Sequence, residues 1–193
     1  MSFDPRPGAG GVDDGRGTGA DPFSRLYARR SVWLPTVLDD EAANRVAVAV
    51  MALDAESDDP IELVINSPGG PLDAGLAVID ALDVLRAPVT TLCLGQAAGT
   101  AAAVLACGRG GRRATPTARL CLRLGPAEFR GYASRVREDA NQLLQRRDQL
   151  ALRLAAATGQ LPAVIAMDLD DGRFMTAEQA IGYGLVDELA TRR

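Results

Sequence analysis

Gly95-Gln96-Ala97-Ala98-Gly99-Thr100-Ala101-Ala102 reads as a sharp turn from a strand into a helix. A turn of this form presents a nucleophile. It needs small residues, because a backbone N–H must approach a substrate carbonyl and the helix behind must pack closely. At the tip, where a serine hydroxyl would project, stands Gly99. The partners of such a hydroxyl are missing too. The 193 residues contain no histidine, and all 21 basic residues are arginine, so there is no lysine. A Ser-His-Asp triad needs an imidazole base, and a Ser-Lys dyad needs an amine that can lose its proton. Arginine does neither at ordinary pH.

Outward from the turn, strands and helices alternate. Ser31 to Leu34 reads as a strand closed by Pro35. Asp39 is placed to cap a helix with Ala43, Val46, Ala47, Val50, Met51 and Leu53 on its apolar face. Ile61 to Ile65 is a buried strand, and Pro71 to Leu85 a helix with Leu72, Leu76, Ile79 and Leu82 at helical spacing. Pro88 to Leu94 reads as a strand, Ala97 to Cys107 as a buried small-residue helix, and Ala118 to Leu122 as a further strand. Tyr132 to Thr158 is the longest helical pattern, with Gly159 as its stop. Its charges, among them Arg135, Arg137, Glu138, Asp139, Arg146, Arg147 and Asp148, read as a solvated face with pairs at helical spacing. Thr176 and Gln179 have the spacing of a capping box. The alternation predicts an α/β fold with mainly parallel pairing. Met1 to Ser24, rich in Gly, Asp and Pro, buries too little apolar surface to offset ordering entropy and reads as disordered. The domain proper is expected over residues 25–193.

Four further segments share one frame with the turn. They are Ile65-Asn66-Ser67-Pro68-Gly69-Gly70, Arg119-Leu120-Cys121-Leu122, Arg173-Phe174-Met175-Thr176-Ala177-Glu178-Gln179-Ala180, and Tyr183-Gly184-Leu185-Val186-Asp187. In this order and spacing the chain resembles the proteolytic subunit of the Clp protease, a self-compartmentalising serine peptidase, from about Leu26 to Leu189. The resemblance implies a spiral of β-β-α units, shared with crotonase-type enzymes, and a protruding handle over about residues 125–158. It also implies seven-membered rings stacked in pairs, built from this chain or from active paralogues, with an ATP-driven AAA+ unfoldase docking on the ring face.

Carried over by the same resemblance, the triad falls on Gly99, Arg123 and Gly172, none of which can play its part. Asp171 lies one residue from the aspartate position, where a side chain is aimed differently. It also replaces an arginine that helps link rings in that family. The backbone oxyanion donors would be the N–H groups of Gly70 and Thr100. The chain is expected to be inactive on its own. The guanidinium of Arg123 either binds a peptide carboxylate or pairs with Asp170 or Asp171, and the pairing is the preferred reading. Thr100 and Ser67 lack a base, and the Ser67 hydroxyl is expected to bond backbone in its turn. Two other readings remain open: a crotonase-like acyl-CoA enzyme using the oxyanion cradle, and a free-standing peptide-binding protein.

Composition narrows the rest. With 47% apolar and 24% charged residues the chain is ordinary for a globular domain, and 4% aromatics imply a core of Ala, Val and Leu. No apolar run approaches the ~20 residues of a membrane span, and no signal peptide is evident. A net charge of −4 without a basic tract speaks against nucleic acid as a partner. Cys93, Cys107 and Cys121 form no C-x-x-C pair and read as small buried hydrophobes in a reducing, cytoplasmic compartment. No metal site and no cofactor is expected.

Overall fold

The computed structural model describes residues 21–191. Its elements are α1 (Pro22–Tyr27), β1 (Ser31–Val37), α2 (Asp40–Glu56), β2 (Ile61–Gly69), α3 (Leu72–Val84), β3 (Val89–Ala98) and α4 (Thr100–Ala106). There follow β4 (Gly111–Ala114), β5 (Arg119–Leu122), α5 (Ala133–Thr158), α6 (Pro162–Asp171), β6 (Arg173–Thr176), α7 (Ala177–Tyr183) and β7 (Glu188–Leu189). The main path of the sheet runs β1-β2-β3-β4-β7, every neighbour parallel. One buried cluster reaches from Val32 to Val186 and is built largely of Ala, Val and Leu.

β3 belongs to two sets of neighbours. Its first half, Thr90 to Cys93, pairs with β4, and its last three residues, Gln96 to Ala98, pair with β5. Between them the register against β2 jumps from Ile65↔Cys93 to Ser67↔Ala97. Gly95 sits in this bulge at φ +76°, and a Cβ there would lie 3.0 Å from the Asn66 Oδ1 atom. The extra residues bend β3 out of the main sheet. β5 then pairs with β6 antiparallel, so the end of β3 is carried into a second layer.

Three expected boundaries move. Ala97 and Ala98 end β3 rather than open the helix, which starts at Thr100 once Gly99 has turned the chain. Pro35 does not close β1. The strand continues to Val37 with an irregularity between Pro35 and Val37, which an edge position tolerates because proline lacks only an outward-facing donor. Asp21 caps a short helix through Ser24 N–H, so the structured chain begins before Leu26. The disorder expected for Met1 to Ala20 lies outside the described residues. On α2, Met51 is half exposed, and the buried stripe is Ala42, Ala43, Val46, Val50 and Leu53.

The caps follow the sequence. Asp39 accepts from Ala42 N–H at 2.8 Å, Thr176 and Gln179 form the reciprocal capping box, and α5 stops at Gly159 in the left-handed region. α5 has 26 residues, about 39 Å of helix. Its only buried residues are Leu150, Ala151 and Leu154, so the half before them stands clear of the core as a handle. Three of its arginines pair across elements, and Arg147 also bonds its neighbour Asp148. Arg146 bonds Asp73 and Arg153 bonds Asp83, both on α3, while Arg147 reaches Asp170 on α6 at 2.8 Å.

Arg112 closes the C-terminal end. It donates to the Asp187 carboxylate from Nε (3.1 Å) and from its backbone N–H (2.8 Å), and to the carbonyls of Ala157 (2.8 Å) and Gly184 (2.7 Å). β4, the end of α5, the cap of α7 and the residue leading into β7 thus meet at one arginine. The paired arginine holds the Asp187 carboxyl below its ordinary value. A depressed carboxylate contributes stability above its unfolded pKa, and that stability is lost as pH falls through the folded value. Arg112→Met is expected to lower unfolding free energy by about 2 kcal/mol near neutral pH, discounted for the exposed side of Asp187. It should also flatten the acid limb of the stability curve, as urea titrations from pH 3 to 7 would read.

Candidate functional site

The elbow is present in full at backbone level. Gly99 has φ +58° and ψ −131°, a conformation L side chains rarely adopt and the kind of strain a nucleophile turn stores. Its N–H donates to the Cys121 carbonyl at 2.9 Å, which ties the tip to β5. A Cβ on Gly99 would meet nothing nearer than the Pro68 carbonyl oxygen at 3.4 Å and the Arg123 carbonyl oxygen at 3.5 Å. There is room for a side chain, but none is supplied.

The three positions expected to share a site do come together. A Cβ on Gly172 would lie 3.7 Å from the Arg123 Cβ, and Arg123 is in turn the neighbour of Gly99. Gly172 is the left-handed cap of α6, with its N–H on the Asp168 carbonyl at 3.0 Å. A glycine at this place ends a helix cheaply, so the residue has a structural task. Asp171 is the exposed last residue of α6.

Arg123 is exposed and, among the described residues, forms no ion pair. The expected pairing with Asp170 or Asp171 is not made: Asp170 is held by Arg147, whose guanidinium also bonds the adjacent Asp148 at 2.8 Å, and Asp171 stands exposed at the helix end. Asp168, one turn back, accepts from the Tyr183 hydroxyl at 2.5 Å and pairs with Arg173, which also stacks 5.0 Å over the Tyr183 ring.

The two backbone donors fare differently from each other. Ser67 bonds its own turn as expected, accepting from Gly69 N–H at 3.0 Å. The Gly70 N–H, however, donates to the Thr100 hydroxyl at 3.0 Å. Sequence reasoning weighed Thr100 only as a nucleophile and as a backbone donor. Its side chain as an acceptor was missed, and a threonine one residue past the tip, opposite a Gly-Gly turn, was the available signal. Thr100 N–H opens α4 and is one of the donors a helix start leaves without an intrahelical partner.

No thiol substitutes for the missing hydroxyl. Cys93, Cys107 and Cys121 are all buried. Burial pushes Cys93 up to about 12 and Cys107 up to about 11, and it raises Cys121 against the opposing pull of Arg123. Reactive cysteines have the reverse tendency. Among the described residues no group of His, Cys, Asp and Glu is arranged to hold a metal ion, and no single helix is long and apolar enough to cross a membrane.

The turn, its strand partners and the C-terminal capping segment together make one connected frame. Compared with protein families, residues 14–193 match the model of the Clp protease family. The chain belongs to the Clp protease family. The match spans nearly the whole sequence, and the mixed α/β architecture with a mostly parallel sheet agrees with it. Membership makes the chain a homologue of the Clp proteolytic subunit and implies assembly in an oligomeric ring with Clp partners.

Because every cysteine is buried with a raised pKa, alkylation of the folded protein by iodoacetamide at pH 8 is expected to be negligible. Under denaturing conditions all three thiols should react. Intact-mass spectrometry reads the difference, and fast modification of one native cysteine would reinstate a thiol site.

Proposed function

We propose that this chain is a non-catalytic subunit of a Clp protease ring, enters that ring with active paralogues, and shapes its assembly and partner choice. The observation that carries the reading is the meeting of Gly99, Arg123 and Gly172 around an intact elbow. The family's triad positions are adjacent, and no nucleophile, base or orienting carboxylate occupies them. Without the triad, the groups left in such a site give at most about 10³–10⁴ over water. The unfoldase that would feed the ring, and a cytoplasmic setting, belong to the same proposal.

Exposed side chains favour a ring over a free-standing protein. Tyr132, Leu144 and Leu152 on the handle, Leu161 and Met167 around α6, and Phe174 on β6 are all half exposed or more. Spread over both ends of the chain's second half, they suit several interfaces better than one ligand groove. The acyl-CoA reading needs a free oxyanion cradle, and one of its two donors is already bonded within the chain.

The purified chain is expected neither to cleave fluorogenic peptides nor to take up serine-directed fluorophosphonate or β-lactone probes. Gly99→Ser alone should remain unlabelled, since no base is present. Stoichiometric labelling of any residue of the natural chain would reject the non-catalytic reading.

Assembly is tested by co-expression with an active paralogue and native mass spectrometry, where a large oligomer containing this chain is expected. A strict monomer in both conditions would favour a free-standing binding protein. Asp171 sets an acid where the family carries a ring-linking arginine, so this chain alone should stack poorly ring on ring. Asp171→Arg should shift single rings toward double rings in sedimentation velocity at fixed ionic strength. Stable double rings of the natural chain, unchanged by the substitution, would reject that charge mechanism.

A further inference from the structure

We propose that Thr100 closes the oxyanion donor of this chain, so that restoring the three missing side chains leaves a site that cannot hold a developing oxyanion until Thr100 is changed as well. The proposal deepens the reading of the site given above and rests on it for its catalytic meaning, though not for its geometry.

Thr100 is the first residue of α4 and is 2% exposed. Its Oγ1 accepts from Gly70 N–H at 3.0 Å and donates to the Gly70 carbonyl at 3.2 Å. The hydroxyl is therefore bonded to both polar groups of the residue whose N–H would face a substrate carbonyl. Two glycines make the space for it. A Cβ on Gly75 would fall 2.5 Å from the Thr100 Cβ, and one on Gly69 would fall 3.2 Å from its Oγ1. Gly70 itself lies close against the chain leaving β1, where a Cβ would fall 2.0 Å from the Leu38 carbonyl oxygen.

An oxyanion donor works because it is aimed, unpaired by protein, at the place where charge develops. Here a substrate oxygen would first have to break a bond between the half-buried Gly70 amide and the buried Thr100 hydroxyl. It would leave the threonine hydroxyl with no acceptor for its proton but the Gly70 carbonyl, and no donor at all. Thr100 is thus a positioning residue that fixes the Gly69-Gly70 turn to the elbow. Its presence is compatible with the fold and opposed to acyl transfer.

Hydrogen exchange reads the contact directly in the full chain. Pro68 and Pro71 bracket a segment with only the Gly69 and Gly70 amides, and the former is on Ser67. Thr100→Val removes the hydroxyl and keeps the shape that fills the Gly75 notch. Gly70 should exchange about 10-fold faster or more in Thr100→Val, and at the natural rate in Thr100→Ser. Thr100→Ala serves if the valine form loses its native circular dichroism. Unchanged Gly70 exchange in the folded variant overturns the contact.

The catalytic consequence is read in Gly99→Ser/Arg123→His/Gly172→Asp, with Thr100 kept or with Thr100→Ala added. A fluorophosphonate probe is the reagent. The serine oxygen forms the P–O bond, the imidazole takes its proton, fluoride leaves, and the phosphoryl oxygen needs the donor. Labelling should be about 10²-fold faster with Thr100→Ala. Equal rates, no labelling of either chain, or faster labelling with Thr100 kept (the hydroxyl then acting as a donor itself) each overturn the proposal. If instead the natural chain labels while Gly70 exchange responds to Thr100→Val, the non-catalytic reading fails and the contact stands.

Discussion

The structure depends on a backbone approach too close for any side chain. Where β1, β2 and β3 end side by side, the Gly69-Gly70 turn is wedged between the Leu38 carbonyl on one side and the Ala98-Gly99-Thr100 elbow on the other. A Cβ on Gly69 would be 2.4 Å from the Ala98 carbonyl oxygen, and one on Gly70 would be 2.0 Å from that of Leu38. This is the carboxyl end of a parallel sheet, where α/β folds bind their ligands. Nothing in the wedge involves the side chains of a triad. Its requirements are absence of Cβ atoms and a bulge at Gly95. The wedge is therefore a property of the backbone and of its missing Cβ atoms.

Gly99 suits the turn it occupies. A serine at φ +58°, ψ −131° carries backbone strain of order 1–3 kcal/mol, which enzymes tolerate at a nucleophile because the hydroxyl must be presented. Glycine adopts the same turn without that strain. Gly172 in turn supplies the left-handed cap of α6, and the Thr100 hydroxyl satisfies both polar groups of Gly70. Each of these residues has a local structural task of its own.

The fold was legible wherever a residue type answers to one physical demand. Asp39, the Thr176–Gln179 box and Gly159 announce helix ends because orphan N–H groups and left-handed caps accept few residues. The Gly95 to Ala102 turn announced its geometry by small size alone. What stayed hidden depended on contacts across the chain. Ala97 and Ala98 are good helix formers, yet they pair with β5 as strand, a case of tertiary pairing overriding local propensity. The partners of Arg146, Arg147 and Arg153 lie on other helices, and spacing along α5 cannot reveal them. That arrangement also left Arg123 without the carboxylate it was assigned. The Gly70–Thr100 bond joins residues thirty apart, so each looked like an independent backbone feature.

The handle points to where the remaining stabilisation must lie. Before Leu150, α5 buries nothing, and its ties to the body are ion pairs such as Arg146–Asp73, with both side chains half exposed or more. Exposed pairs of this kind contribute at most about 1 kcal/mol each. An isolated stretch of this length is marginal as a helix in water, and here it carries partly covered apolar residues, Val136, Ala140 and Leu143, beside the exposed Leu144. A single copy offers those residues no core. A second copy, or a paralogue with the same helix, offers a matching apolar stripe, and the charges on α5's other face remain in water. The handle is therefore the part of the chain whose apolar residues find their core in an assembly rather than in the single copy.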